Sequence, residues 1–227
     1  DTAISLKPGY ADAHVLRGFN YLRRGRFEKG WGDYEWRAKG VYDEGPLTRA
    51  TLWTGREDIA GRTILVHGEQ GLGDTIQFCR LLPGLEERGA RVLFAPQPPL
   101  RALMASMGKM EFVRIEDPSL SPDFHCSLLS LPGALGLGMD NIPANVPYLR
   151  AEPARIQVAR QRIGSADFRI GICWQGGTTK IDEGRSFPLA CFHKIGRLPG
   201  VRLISLHKGA GEGQLASMPD GMSVESF

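Results

Sequence analysis

The sequence predicts an α/β fold: two units of parallel strands alternating with helices, entered through a short helical hairpin. Three observations carry this. From residue 61 onward, short apolar runs alternate with stretches of helical spacing, the pattern of βαβ units. The first forty residues have helical spacing instead, with turn signals at Lys7-Pro8-Gly9 and Arg24-Gly25-Arg26. A proline-bearing stretch, IPANVPYLRAEP at 142–153, then separates one group of strands from a second. The 227 residues, 42% of them hydrophobic, exceed the usual domain of roughly 100–150 residues and admit two cores.

In the hairpin, small and large residues recur at set offsets: Ala13, Gly18, Tyr21, Gly25, Phe27, Gly30 and Tyr34. This spacing resembles one tetratricopeptide repeat, with Ala3, Leu6 and Pro8 as the tail of a preceding one. Arg17 stands where such repeats favour leucine, and Gly30 where they favour alanine. A single repeat cannot bury its own face, so the hairpin is expected to dock on the neighbouring domain or to extend an array. Trp31, Tyr34 and Trp36 form an aromatic group that reads first as packing.

Four strands are expected in the first unit: Thr63–His67, Arg91–Ala95, Phe112–Ile115 and Phe124–Ser127. Between the first two, Ile76, Cys79, Leu82 and Leu85 mark a helix that Pro83 interrupts. The second unit reads as a helix at 153–163, a strand Arg169–Trp174, a polar loop from Gln175 to Ser186, a helix Leu189–Leu198 and a strand Val201–Leu206. It is expected to be incomplete after two strands, since so small a sheet is rarely stable alone. The domain division is therefore 1–45, 46–150 and 151–227.

Composition excludes several classes. The net charge of +3 arises within residues 1–40, where eight Lys/Arg face five Asp/Glu; the remainder balances at twenty against twenty. No basic stripe is interleaved with aromatics, which argues against nucleic acid. Cys79, Cys126, Cys173 and Cys191 form no CxxC pair and lie in apolar contexts, as buried free thiols in a reducing cytosol would. No apolar run approaches the ~18 residues that span a bilayer, and a cytoplasmic location is expected. His125-Cys126 lies inside an apolar strand and reads as core. There is no G-x-S-x-G elbow for a triad hydrolase.

Two loops carry the candidate chemistry, because ligands of open parallel sheets bind beyond the strands' carboxyl ends. The first, HGEQGLGDT at 67–75, places Gly68, Gly73 and Thr75 on the frame of a phosphate-binding loop, but Asp74 occupies the place of its lysine. Gly68, Gly71 and Gly73 permit positive φ angles and close backbone approach to a ligand. Asp74 has two compatible readings: an N-cap with Gln77 at the third helical position, or a base and hydrogen-bond acceptor for a sugar hydroxyl. In the second loop, GGTTKIDEGRS, Thr178 and Thr179 can donate to phosphate oxygens while Lys180 or Arg185 neutralises charge. A solvated loop, with Asp182 and Glu183 balancing the cations, explains the same composition. His67, His207 and Lys208 sit at strand ends.

The hairpin GRFEKGWGDYEWR, the stretch ILVHGEQGLGDTIQFCRLLPGL, PDFHCSLLSLPGALG and the loop ICWQGGTTKIDEGRSFPL together resemble bacterial tetratricopeptide-repeat glycosyltransferases. Their catalytic part is related to the heptosyltransferases of glycosyltransferase family 9. The most specific element, GLGDTIQFCRLLP, is similar to that family's Gly-Asp motif followed by a helix and Leu-Pro. The resemblance implies a GT-B architecture, two Rossmann-like domains with the second truncated, behind a repeat-like hairpin. It implies an inverting, metal-independent transfer without a cofactor, from a nucleotide-sugar co-substrate to a glycan, lipid-linked saccharide or protein. Asp74 corresponds to the family's general base, with Gln70, Gly71 and Gly73 beside it at the substrate. Thr178, Thr179 and either Lys180 or Arg185, ahead of Phe187-Pro188, correspond to its phosphate contacts. A different class, a non-catalytic scaffold whose basic hairpin binds a protein partner, stays open.

Overall fold

The computed structural model describes residues 1–39, 50–177 and 184–227. The chain divides into two compact units, Asp1–Glu152 and Pro153–Phe227. Both contain parallel sheets in a mixed α/β arrangement.

The first unit opens with α1 (Thr2–Leu6), α2 (Ala11–Arg23) and α3 (Phe27–Tyr34). Helices α2 and α3 pair because glycines let their backbones meet: a Cβ on Gly18 would lie 2.9 Å from the Tyr34 nitrogen and 3.1 Å from the Gly30 oxygen. Gly18→Ala is accordingly expected to lower the unfolding free energy by about 1–3 kcal/mol, the usual range for overpacking, read from the urea midpoint. Gly30 is equally constrained, since its Cβ would fall 2.6 Å from Leu22 Cδ2. Arg17, the departure from the repeat pattern, closes the hairpin instead of packing in it. Its Nε and Nη2 donate to Asp33 at 2.6 and 2.9 Å, and the same carboxylate meets His14 Nδ1 at 2.9 Å. The Arg17 hydrogen bond, aided by His14, holds the Asp33 carboxyl below its usual range despite burial. Trp36 stacks on His14 at 3.8 Å.

After a 3-10 turn at Glu35–Ala38 come β1 (Thr51–Leu52), β2 (Thr63–His67), α4 (Leu72–Phe78), α5 (Pro83–Glu86), β3 (Arg91–Ala95), α6 (Arg101–Met104), β4 (Glu111–Phe112), β5 (Phe124–Ser127) and α7 (Leu131–Ala134). The strands form one parallel sheet in the order β1-β5-β2-β3-β4. The centres of β2 and β3, Ile64–Val66 and Val92–Ala95, are apolar at consecutive positions because both faces are covered. Ile64, Val66, Phe94 and Cys126 pack with Leu82, Leu85, Met104 and Leu131 in the main core, while Leu65, Leu93 and Ala95 meet Val113, Ile115 and Leu120 in a smaller one. The hairpin docks on this unit: Trp31 belongs to the main core's margin, and its Nε1 donates to the Leu137 carbonyl at 3.2 Å.

The second unit holds α8 (Pro153–Ile163), β6 (Phe168–Ile172), α9 (His193–Gly196), β7 (Val201–Ser205) and β8 (Val224–Glu225). Its parallel sheet runs β6-β7-β8 around Ile172, Trp174, Leu189, Leu203 and Met222.

Several expectations need correction. The second sheet has three described strands, not two, and the first gains β1. Strands of two residues offer no periodicity to read. Phe112–Ile115 is shorter and earlier, Glu111–Phe112, because Val113 makes the last ladder bond, its N–H donating to Phe94 at 3.0 Å. The helix Leu189–Leu198 is a 3-10 turn, Leu189–Phe192, followed by α9. Pro83 does break its helix: a 3-10 turn at Cys79–Leu81 precedes α5, where proline occupies the first turn and needs no N–H partner. Cys79 and Cys126 are buried free thiols, but Cys173 and Cys191 are exposed. Among the described residues no helix is long and apolar enough to cross a membrane.

Candidate functional site

The loops that leave β2, β3 and β5 meet at the carboxyl edge of the first sheet. Parallel register puts His67, Ala95 and Ser127 at adjacent strand ends. Gly68 N–H donates to Ala95 at 2.9 Å, and Thr75 Oγ1 donates to Gln97 Oε1 at 2.7 Å, which ties the start of α4 to the loop after β3. A Cβ on Gly68 would lie 2.7 Å from Gln97 Oε1 and 3.0 Å from Thr75 Oγ1, so a larger residue would displace the Gln97 side chain from Thr75.

In this loop the positive φ angle falls on Gln70, at +58°. Gly71, at φ −82°, is the N-cap of α4. Asp74 therefore stands not at the N-cap but at the third helical position, and its Oδ2 accepts the Gly71 N–H at 3.0 Å. That is half of a capping box, with a glycine that has no side chain to return the bond. The Asp74 carboxylate is half-buried, and Oδ1 accepts no hydrogen bond among the described residues. Gly73 faces open space. Gln70 is exposed and donates through Nε2 to the Tyr34 hydroxyl at 3.0 Å. Gln70, Gly71, Gly73 and Asp74 thus share one rim, with Tyr34 of the hairpin beneath it.

Glu69 and Arg37 form the part of this edge that sequence reasoning missed. Arg37, with a side chain only 7% exposed, pairs with Glu69 at 2.5 Å and with Glu35 at 2.9 Å. Its Nη2 also donates to Ser130 Oγ at 2.8 Å, and Ser130 donates to Glu35 at 2.8 Å. Ser127 Oγ donates to Glu69 as well, and the guanidinium lies 4.4 Å from the Tyr34 ring centre. The flanking carboxylates hold the Arg37 pKa above its ordinary value although burial opposes them. A single sequence gives no sign of this network, because apart from Glu35 and Tyr34 the partners of Arg37 lie 32 to 93 residues away.

His67 closes β2 at 4% exposure, its ring 6.2 Å from that of His125. Burial first, then His125, pushes the His67 pKa down to about 4. Between the unfolded value of ~6.5 and that figure the unfolded chain takes up a proton that the folded chain refuses. The stability due to the neutral ring is therefore complete above ~6.5 and declines as pH falls toward 4, by up to ~1.4 kcal/mol per unit. Urea unfolding is expected to lose about 1.5 kcal/mol from this ring between pH ~6.5 and ~5, and His67→Gln to flatten that decline. His125 and Cys126 are buried, in keeping with core.

In the second unit, Gln175 leaves the carboxyl edge beyond β6. Gly176 N–H donates to Ser186 Oγ at 3.0 Å and Phe187 N–H to Trp174 at 3.0 Å, which closes the base of the second loop. Arg185 sits on this loop, exposed. Thr178, Thr179 and Lys180 lie outside the described residues.

No protein-family model matches the chain. Among curated proteins, it is 23% identical over 230 residues to Protein FlbA of Caulobacter vibrioides (strain ATCC 19089 / CIP 103742 / CB 15), covering 90% of this chain and 38% of FlbA. The chain thus spans well under half of that relative's length. Among solved structures, it is similar to the iron-containing dodecameric glycosyltransferase TibC from enterotoxigenic E. coli H10407. That likeness has a TM-score of 0.45 and 15% identity over 75% of this chain and 49% of TibC.

Proposed function

We propose that the chain is the catalytic part of a glycosyltransferase that moves a sugar from a nucleotide-sugar to a hydroxyl acceptor, with inversion and without a metal or other cofactor. One observation carries this reading: of the two carboxylates at the loop after β2, Glu69 is engaged by Arg37 and Ser127, whereas Asp74 is fixed through Oδ2 alone. A carboxylate oriented by one oxygen and open at the other suits a base that must meet a mobile alcohol. Asp74 Oδ1 takes the acceptor proton as the alcohol oxygen attacks the anomeric carbon, and the nucleoside diphosphate departs from the opposite face. Gln70 and the backbone of Gly71 and Gly73 line the acceptor's approach.

On this reading the second unit is the donor side of a GT-B pair. Thr178, Thr179 and either Lys180 or Arg185 offset the leaving diphosphate's charge. The acceptor is a glycan, a lipid-linked saccharide or a protein, the hairpin is a tetratricopeptide-like adaptor, and the reaction belongs to the cytoplasm, where nucleotide-sugars are made. Thermal shift against ADP, UDP and GDP tests the donor half. One nucleotide at ~100 times its Kd is expected to add about 2.7 kcal/mol; no displacement by any of them would remove the support for a donor site.

A second reading rests on the hairpin surface. Leu6, Leu16 and Phe19 are exposed at 83%, 61% and 45%, next to exposed Arg23 and Arg24, which fits a scaffold for an acidic protein segment. Capture of such a segment that survives deletion of the second loop but not reversal of both arginines would favour it.

A further inference from the structure

Beyond the proposed transfer chemistry, we propose that Cys173 is a base-activated thiol and the chain's preferred site of oxidation by small hydroperoxides. The pair that carries this arises from the second sheet: β6 ends at Ile172 and β7 at Ser205, so Cys173 and His207 leave neighbouring parallel strands at the same edge. Cys173 Sγ lies 3.3 Å from His207 Nδ1. The thiol is exposed, while the imidazole behind it is 4% exposed.

The orientation of His207 decides which nitrogen is the base. Nε2 lies 2.5 Å from the Ala210 carbonyl oxygen. A carbonyl only accepts, so Nε2 carries the hydrogen and the neutral ring presents its lone pair at Nδ1, toward the sulfur. The ring is held by stacking on Trp174, with centres 4.3 Å apart and planes inclined by 28°. Trp174 Nε1 in turn donates to Gly211 at 3.1 Å. Gly211, at φ +97°, sits in a backbone conformation that L side chains rarely adopt, and a Cβ there would crowd His207 Nε2 at 3.1 Å. The 207–211 turn thus clamps the imidazole against the thiol.

The other cysteines lack this combination. Cys79 and Cys126 are buried, and burial raises both thiols, Cys79 to about 11. Cys191 is exposed but has no imidazole within hydrogen-bond distance among the described residues. In the oxidation step, the thiol proton passes to His207 Nδ1, and the thiolate attacks one oxygen of hydrogen peroxide, forming an S–O bond as the O–O bond breaks. The departing hydroxide recovers the proton from His207 and leaves as water. Sulfur is oxidised to a sulfenic acid by two electrons, and the peroxide is reduced.

The test treats the 227-residue chain with hydrogen peroxide, traps sulfenic acid with dimedone and compares Cys173 with Cys191 by peptide mass spectrometry. Cys173 is expected to be labelled about tenfold faster than Cys191 in the folded chain; equal rates overturn the proposal without recourse to any variant. His207→Gln, checked for native circular dichroism, should bring Cys173 down to the Cys191 rate, and a folded variant that keeps the advantage overturns the assignment of the base. Should that variant not fold, the wild-type chain in denaturing urea replaces it. The two rates must converge there, and an advantage that persists contradicts a base supplied by the fold.

Discussion

Asp74→Asn is expected to lower sugar transfer by about 10²–10⁴-fold, the span usual for removing a general base, with little change in fold. The asparagine oxygen still accepts the Gly71 N–H that Asp74 Oδ2 accepts at 3.0 Å, so the start of α4 keeps its bond. The cost in stability should stay within about 1 kcal/mol. Separating the two effects matters because the proposed transfer uses Asp74 Oδ1, whereas the cap uses Oδ2. A variant with unchanged melting and unchanged transfer would reduce Asp74 to a cap, and the reaction would need another base.

The largest effect on stability is expected at Arg37. Arg37→Leu removes the cation from a site where the Arg37 and Glu69 side chains are 7% and 19% exposed, leaving Glu69 and Glu35 without it. Breaking a buried pair from one side costs about 3–5 kcal/mol, and the urea midpoint of the first unit should fall accordingly. Arg37→Lys should recover only part of this, because one ammonium cannot reach Glu69, Glu35 and Ser130 with the geometry of a guanidinium fork. A change below ~1 kcal/mol for Arg37→Leu would mean that water replaces the network freely. Because Glu69 belongs to the same loop as Gln70 and Asp74, the hairpin that supplies Arg37 and Tyr34 also sets the shape of the candidate acceptor rim.

Elements were legible in the sequence where they carry periodicity. Thr63–His67, Arg91–Ala95 and Phe124–Ser127 could be read because strands covered on both faces carry consecutive buried positions, such as Ile64–Val66 and Val92–Ala95. The helix read at 153–163 forms at Pro153–Ile163. β1, β4 and β8, at two residues each, carry no such pattern. In the candidate site, the loop after β2 was identifiable from its glycines and Asp74, but what each glycine meets was not. Positive φ falls on Gln70, Gly68 answers to Gln97, and Gly71 to Asp74. Those are contacts across space, which spacing along the chain does not encode. The same is true of Arg37 and Glu69, and of Cys173 and His207, which parallel register brings together from 34 residues apart.

Sugar transfer itself is decided by incubating the chain with the nucleotide-sugar whose diphosphate stabilises it and following diphosphate release with and without hydroxyl acceptors. Acceptor-dependent release, a glycosylated product with inverted anomeric configuration, and loss of both in Asp74→Asn are expected. Release that ignores the acceptor, or a product with retained configuration, would contradict the assignment of Asp74 as the base of an inverting transfer.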